Sequence, residues 1–184
     1  RFVINIQPDQ AEPFRAHLQA QGVDRYDWFP MVRGRLVAIN GQPVRPEQFS
    51  GDRAQRLVER EFNLSYSREL PAHNPLAAGR WQPDEAGAIS IETGLAETLG
   101  LRLGDRMTFD IAGVPHEARI TSLRKVDWAS MHVNFFALFP VPSMPAEVPY
   151  TYIAAFRAPA QAGFDRLLLQ RFPNVTNVDT SAAV

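Results

Sequence analysis

The sequence predicts an α+β fold in two lobes, and three observations lead there. Strand-like alternation and helix-like spacing interleave along the whole chain. The two ends share a form, strand–helix–strand at 2–39 and again at 150–179, with no convincing residue-level repeat between them. Between these ends, 88–126 reads as a strand, a short helix and a β-hairpin. Two αβ units that close on each other, with the middle as an insertion, form the economical architecture.

Phe2, Ile4 and Ile6 alternate with Val3 and Asn5, which predicts a strand over 2–6. Asp9 is placed to cap a helix over 10–21, where Phe14 and Leu18 lie four apart on the buried face and Gly22 ends it. Asp27-Trp28-Phe29-Pro30 then leads into a strand over 31–39, and Asn40-Gly41 is a strong hairpin signal. A weakly patterned helix follows over 52–59, then a strand within 61–70 in which Phe62, Leu64 and Tyr66 alternate. Pro71–Pro75 reads as a break and 76–83 as an irregular connector, and the lobe boundary is placed here.

The central stretch is the most legible. A strand over 88–91 meets a helix over 93–99, with Glu92 or Thr93 as its N-cap and Gly100 as its left-handed C-cap. Met107, Phe109 and Ile111 alternate with Thr108 and Asp110, Ala112-Gly113 makes a turn, and a return strand runs over 115–125. Residues 127–139 are unusually aromatic, and Pro140, Pro142, Pro145 and Pro149 exclude a regular helix or interior strand over 140–149. A strand over 150–156, a helix over 160–172 and a strand over 175–179 close the chain.

Composition excludes several functions. With 184 residues and 45% hydrophobic side chains the chain can bury a core. A net charge of −1, with Lys125 the only lysine, gives no electrostatic case for nucleic acid. Zero cysteines rule out disulfides and thiolate metal sites and leave the compartment open. No apolar run approaches the roughly 20 residues of a membrane-spanning helix, and there is no signal peptide. The chain starts at Arg1, directly in a strand, and ends in SAAV without a stop signal, so it is expected to be a domain excised from a longer protein.

No constellation points to chemistry. His17, His73, His116 and His132 show neither HxH nor HExxH spacing, and no Gly-rich phosphate loop is present. His132 beside Asp127 and Ser130 invites a Ser-His-Asp reading, but no G-x-S-x-G elbow accompanies it. Paired acids such as Glu59 with Glu61 and Asp84 with Glu85 read as solvated faces. No catalytic residue, cofactor or metal is expected. Trp128, Met131, Phe135, Phe136, Phe139, Val141 and Met144 are either core beneath a long loop or an apolar surface for a lipid-like substrate, a membrane face or a partner. Trp28 and Phe29 are a second candidate of the same kind.

Four segments carry a resemblance. They are Leu99-Gly100-Leu101-Arg102-Leu103-Gly104-Asp105 ahead of its hairpin, PMVRGRLVAING within 26–41, SYSRELPAHNPLAAGRW within 64–81, and VDWASMHVNFFALFP followed by TYIAAF within 126–156. The resemblance covers nearly the whole chain. The segments resemble the periplasmic core domain of FtsX-like and MacB-like ABC-transporter permeases. The narrower resemblance is to the large permease that commonly accompanies a lysophospholipase- or thioesterase-like hydrolase. The resemblance implies a divided, porter-like αβ lobe over 1–72 and 148–184, with an inserted β-rich, sabre-like lobe over 73–147. It implies an inner-membrane parent with this segment on the periplasmic side, and a cytoplasmic ATP-binding subunit that acts through transmembrane helices outside these residues. It also implies a hydrophobic cargo and a hydrolase partner. Two alternatives stay open: a free-standing esterase using Ser130 and His132, and an envelope scaffold or binding module without transport.

Overall fold

The computed structural model describes residues 1–178; Asp179, the expected end of the last strand, lies outside the described residues. The strands are β1 (Phe2–Ile6), β2 (Tyr26–Ile39), β3 (Gln42–Pro43), β4 (Phe62–Ser67), β5 (Leu76–Gly79), β6 (Ala88–Glu92), β7 (Arg106–Ile111), β8 (Val114–Arg124), β9 (Ala137–Pro140), β10 (Thr151–Phe156) and β11 (Thr176–Val178). The helices are α1 (Ala11–Ala20), α2 (Asp52–Glu59), α3 (Thr93–Leu99) and α4 (Phe164–Arg171). This is a mixed α+β chain with a sheet-rich core, as expected. It divides into two compact units. Unit 1 takes Arg1–Met31, Ala129–Asn134 and the described residues from Tyr150 onward; unit 2 takes Val32–Trp128 and Phe135–Pro149.

Unit 1 is an antiparallel sheet in the order β11-β1-β10-β2. Counted along the unit's own strands this is order 4-1-3-2, the split βαβ arrangement, with one helix after the first strand and one before the last. Phe14 and Leu18 of α1 pack with Val3, Ile6, Ala154 and Leu168 in its core. Strict alternation in β1 fails at Asn5, which takes a left-handed φ of 66°. The register shifts between Val3 and Ile6, so Val3 joins Ile6 in the core cluster, in place of Phe2 and Ile4. Asparagine tolerates that region, and Asn5 is tied in place by reciprocal bonds: its Nδ2 donates to Asn174 O at 2.8 Å and Asn174 Nδ2 donates to Asn5 O at 2.9 Å. Asp9 does not cap α1. A 3-10 turn at Pro8–Gln10 precedes the helix, and the Gln7 N–H donates to Gln10 Oε1 at 3.0 Å.

Unit 2 contains a closed ring of six strands. The later residues of β2 pair with β4 on one side and β7 on the other. β4 pairs with β9, β9 with β6, β6 with β8, and β8 returns to β7. Closure leaves no free edge within the ring. Phe109 meets Phe62 at 5.7 Å and Phe139 at 6.4 Å between ring centroids, both edge-on, and all three are buried. Small barrels are filled by side chains in this way. Gly34 admits the close approach of β2 to its neighbours: a Cβ there would sit 2.7 Å from Leu64 Cδ1 and 3.2 Å from Ile111 Cγ1. Glu92 caps α3, accepting from Gly94 N at 2.6 Å and Leu95 N at 2.9 Å, and Gly100 ends it with φ 69°. Ala112 and Gly113, at φ 53° and 85°, form the hairpin turn between β7 and β8.

The compact units are drawn differently from the expected lobes. Residues 32–72, assigned by sequence to the divided lobe, lie in unit 2. The reason is the ring: β2 and β4 are two of its six staves, and hydrogen bonds outweigh the proline break at 71–75. The connector expected at 76–83 contains β5, paired with β8. β9 is a four-residue buried strand inside the aromatic stretch, and Pro140 is its last residue, a strand-end position that tolerates the missing N–H. β2 begins at Tyr26 rather than 31, and α4 is shorter than 160–172 because Gly163 adopts a left-handed φ of 87° before it.

Candidate partner surface

The aromatic stretch splits between core and surface. Phe135, Phe139 and Met144 are buried, so none of the three can form the expected contact surface. Phe136 is half-buried, edge-on to Phe62 at 6.0 Å and 4.8 Å from the Trp128 ring. Trp128 is 38% exposed and Met131 62% exposed. Trp28, half-buried on β2, stacks on Tyr152 at 4.8 Å and lies under the Arg15 guanidinium at 5.1 Å; Phe29 is half-buried beside it in sequence. The exposed side chains of these stretches are Trp128 and Val141 in unit 2 and Met131 in unit 1, while Trp28 and Phe29 are half-buried.

A buried cation anchors the stretch, and the sequence reading missed it. Arg124, at the end of β8, has 0% exposure. Its Nε donates to Ser90 Oγ at 2.9 Å and its Nη1 to Asn74 Oδ1 at 2.8 Å. Its Nη2 donates to the backbone oxygens of Phe135 at 2.9 Å, Ser90 at 3.2 Å and Phe136 at 3.2 Å. One side chain thus fixes β6, the 71–75 segment and the entry to β9. Burial pushes the guanidinium down to about 10, partly opposed by the charge of Glu92, so it remains a cation at neutral pH. The signal was present: Ala118, Ile120, Ser122 and Arg124 alternate, and all four are buried.

His132 belongs to a different arrangement from the one its sequence neighbours suggest. Its Nδ1 lies 3.0 Å from Asp27 Oδ2, and the same oxygen accepts the Val133 N–H at 2.8 Å. A carboxylate beside the imidazole is therefore that of Asp27, far from it in sequence. Ser130 Oγ accepts from the main-chain N–H of His132 at 3.4 Å and from Asn134 Nδ2 at 3.2 Å. It is engaged with the backbone of His132, whereas a triad places the hydroxyl on the imidazole. The pair lines a cleft of about 1010 Å³ in unit 1, with Asp24, Arg25 and Arg157 on its walls.

No protein-family model matches the chain. It is 36% identical over 181 residues to an uncharacterised ABC transporter permease, YbbP, of Escherichia coli strain K12, and this covers 98% of the chain. The chain spans 22% of that permease's length. Among solved structures, it is similar to a domain assigned to a permease from Porphyromonas gingivalis, with a TM-score of 0.48 and 16% identity over 90% of this chain and 77% of that one. It is also similar to the periplasmic region of MacB from Actinobacillus actinomycetemcomitans, with a TM-score of 0.44 and 10% identity over 98% and 88% of the two chains. The chain is a homologue of a segment of an ABC transporter permease, which bears out the ABC-permease part of the resemblance read from its residues.

Proposed function

We propose that the chain is the extracytoplasmic domain of an ABC-type permease in the inner membrane, on its periplasmic side, and that it works by contact rather than by catalysis. The observation that carries this reading is the identity with the permease segment over 98% of the chain. No helix among the described residues is long and apolar enough to cross a membrane, which is compatible with a domain held beside one. In this reading unit 1 corresponds to a porter-like lobe and unit 2 to a sabre-like insertion. A cytoplasmic ATP-binding subunit drives transmembrane helices elsewhere in the parent protein, and this domain transmits their motion or handles a hydrophobic cargo. A lysophospholipase- or thioesterase-like hydrolase is the proposed recipient. Trp128, Met131, Trp28 and Phe29 are the proposed contact residues. The test uses the full-length permease with its other cysteines removed and Met131→Cys introduced. A membrane-impermeant maleimide is expected to label this cysteine from outside the inner membrane; labelling only after the membrane is breached overturns the location.

The Asp27–His132 pair favours one competing reading, a hydrolase acting on esters. Its test is hydrolysis of a p-nitrophenyl ester by the chain and by His132→Ala. Equal background rates are expected; turnover lost in the variant establishes the hydrolase instead.

A further inference from the structure

The wall of unit 2 formed by α2 and the residue after it carries three arginines, of which Arg60 donates from Nε to the backbone oxygen of Glu61 at 3.2 Å. Ala54, Leu57 and Val58 bury the inner face of α2. Arg53, Arg56 and Arg60 follow at spacings of three and four, so they share the outer face. All three are exposed, and among the described residues none of them forms an ion pair. They line a cleft of about 620 Å³ together with Leu57, Glu59 and Phe136. The Arg60 guanidinium lies 6.0 Å from the centre of the Phe136 ring. On its other side Phe136 meets Trp128, which is exposed to solvent. Three cations against one carboxylate leave the cleft with an excess positive charge, and a half-buried aromatic ring beside it leads to a second, exposed ring.

We propose that the cleft formed by Arg53, Arg56, Arg60 and Phe136 binds a phosphate ester carried on an apolar body. Guanidinium groups match phosphate oxygens through paired N–H donors. Arg53 and Arg56 on the helix and Arg60 just beyond its end can share a single phosphate, while Phe136 and Trp128 take the first part of the apolar chain. The volume falls in the range of sites for single small ligands, roughly 300–1,000 Å³. The inference stands on the geometry of unit 2 and does not depend on the transport reading.

The probe is dodecyl phosphate, kept below its critical micelle concentration and titrated calorimetrically into the 184-residue chain. Saturable one-to-one binding is expected, with a Kd that rises with salt as exposed charges are screened. The triple variant Arg53→Gln, Arg56→Gln, Arg60→Gln is expected to weaken binding by about tenfold or more. Its circular dichroism should be unchanged, and Arg56→Gln alone is read out if the triple variant misfolds. Inorganic phosphate should bind about tenfold more weakly than the probe, because it leaves the aromatic rings uncovered. Dodecyl maltoside, apolar but uncharged, should not compete. An unchanged Kd in the arginine variants overturns the proposal. So does equal affinity for inorganic phosphate, which would mark a plain anion site. Binding only to vesicles of phosphatidylcholine with phosphatidic acid, and not to the monomeric probe, overturns it in favour of a membrane surface. Binding only to an acidic protein partner overturns it too.

Discussion

A guanidinium removed from water needs all its compensation inside the protein. Arg124 obtains it from Ser90, Asn74 and three backbone oxygens, with no direct ion pair among the described residues. Replacing it by leucine removes the buried charge but strands those acceptors, each a costly buried group. Arg124→Leu is therefore expected to lower the unfolding free energy by about 3 kcal/mol, read as a lower denaturant midpoint. Arg124→Lys should not restore it, because one ammonium cannot reach acceptors spread around a planar fork. A result within experimental error of the parent would show that the acceptors find other donors. Gly79 makes a backbone demand of a different sort. At φ 76° an added Cβ would lie 2.1 Å from Thr121 O, on the neighbouring strand. Gly79→Ala must shift that backbone and hold a left-handed alanine, so it is expected to cost at least about 1–3 kcal/mol and to show as a lower Tm.

β8 explains which elements could be read in advance. Its alternation and the Ala112-Gly113 turn are local, as are the cap and C-cap of α3, and all of them were legible in 88–126. Glu92 does two things there. Its carboxylate caps α3 through Gly94 and Leu95, and its charge is the one that favours the cationic form of Arg124. Glu92→Ala is expected to cost about 1–2 kcal/mol in denaturant unfolding, the upper part of the range for a lost cap. Arg124→Leu should shrink that cost, because the charge that Glu92 favours is gone; a double-mutant cycle with no coupling would contradict the link. What was not legible is pairing at a distance. β9 is four residues long and ends in proline, and its partners β4 and β6 come from far earlier in the chain. β5 is equally short. Nothing in either segment announces a strand until the ring it completes is known. The candidate surface was half-legible for the same reason: the aromatic content was plain, but only the ring decides that Phe139 points inward while Trp128 does not.

The two units differ in how acid should act on them. His17 lies in unit 1, buried on α1 against Phe164 and Phe172, and among the described residues its Nε2 has no hydrogen-bond partner. Burial, and then the charge of Arg171, hold its pKa below the usual 6.5. In the unfolded chain the imidazole keeps its ordinary value. Between that value and the lower folded one, the unfolded state therefore carries a proton that the folded state does not. The stability of unit 1 should be fully present above about pH 6.5 and fall as pH drops through that window, then level off below the folded value. Asp165 belongs to a lower window: the hydrogen bond from Arg1 holds its pKa below the usual 3.8, so its contribution is lost only in stronger acid. Hydrogen exchange, expressed as protection factors to remove the intrinsic pH effect, should separate the units. Amides of α1, β1 and β10 are expected to lose protection between pH 7 and pH 5, while those of β6 and β8 in the ring hold theirs. His17→Leu should abolish that slope and raise stability at neutral pH by about 1 kcal/mol, since it removes an unpaired buried nitrogen. A slope that survives the substitution, or one shared equally by the ring, would place the acid-sensitive group elsewhere.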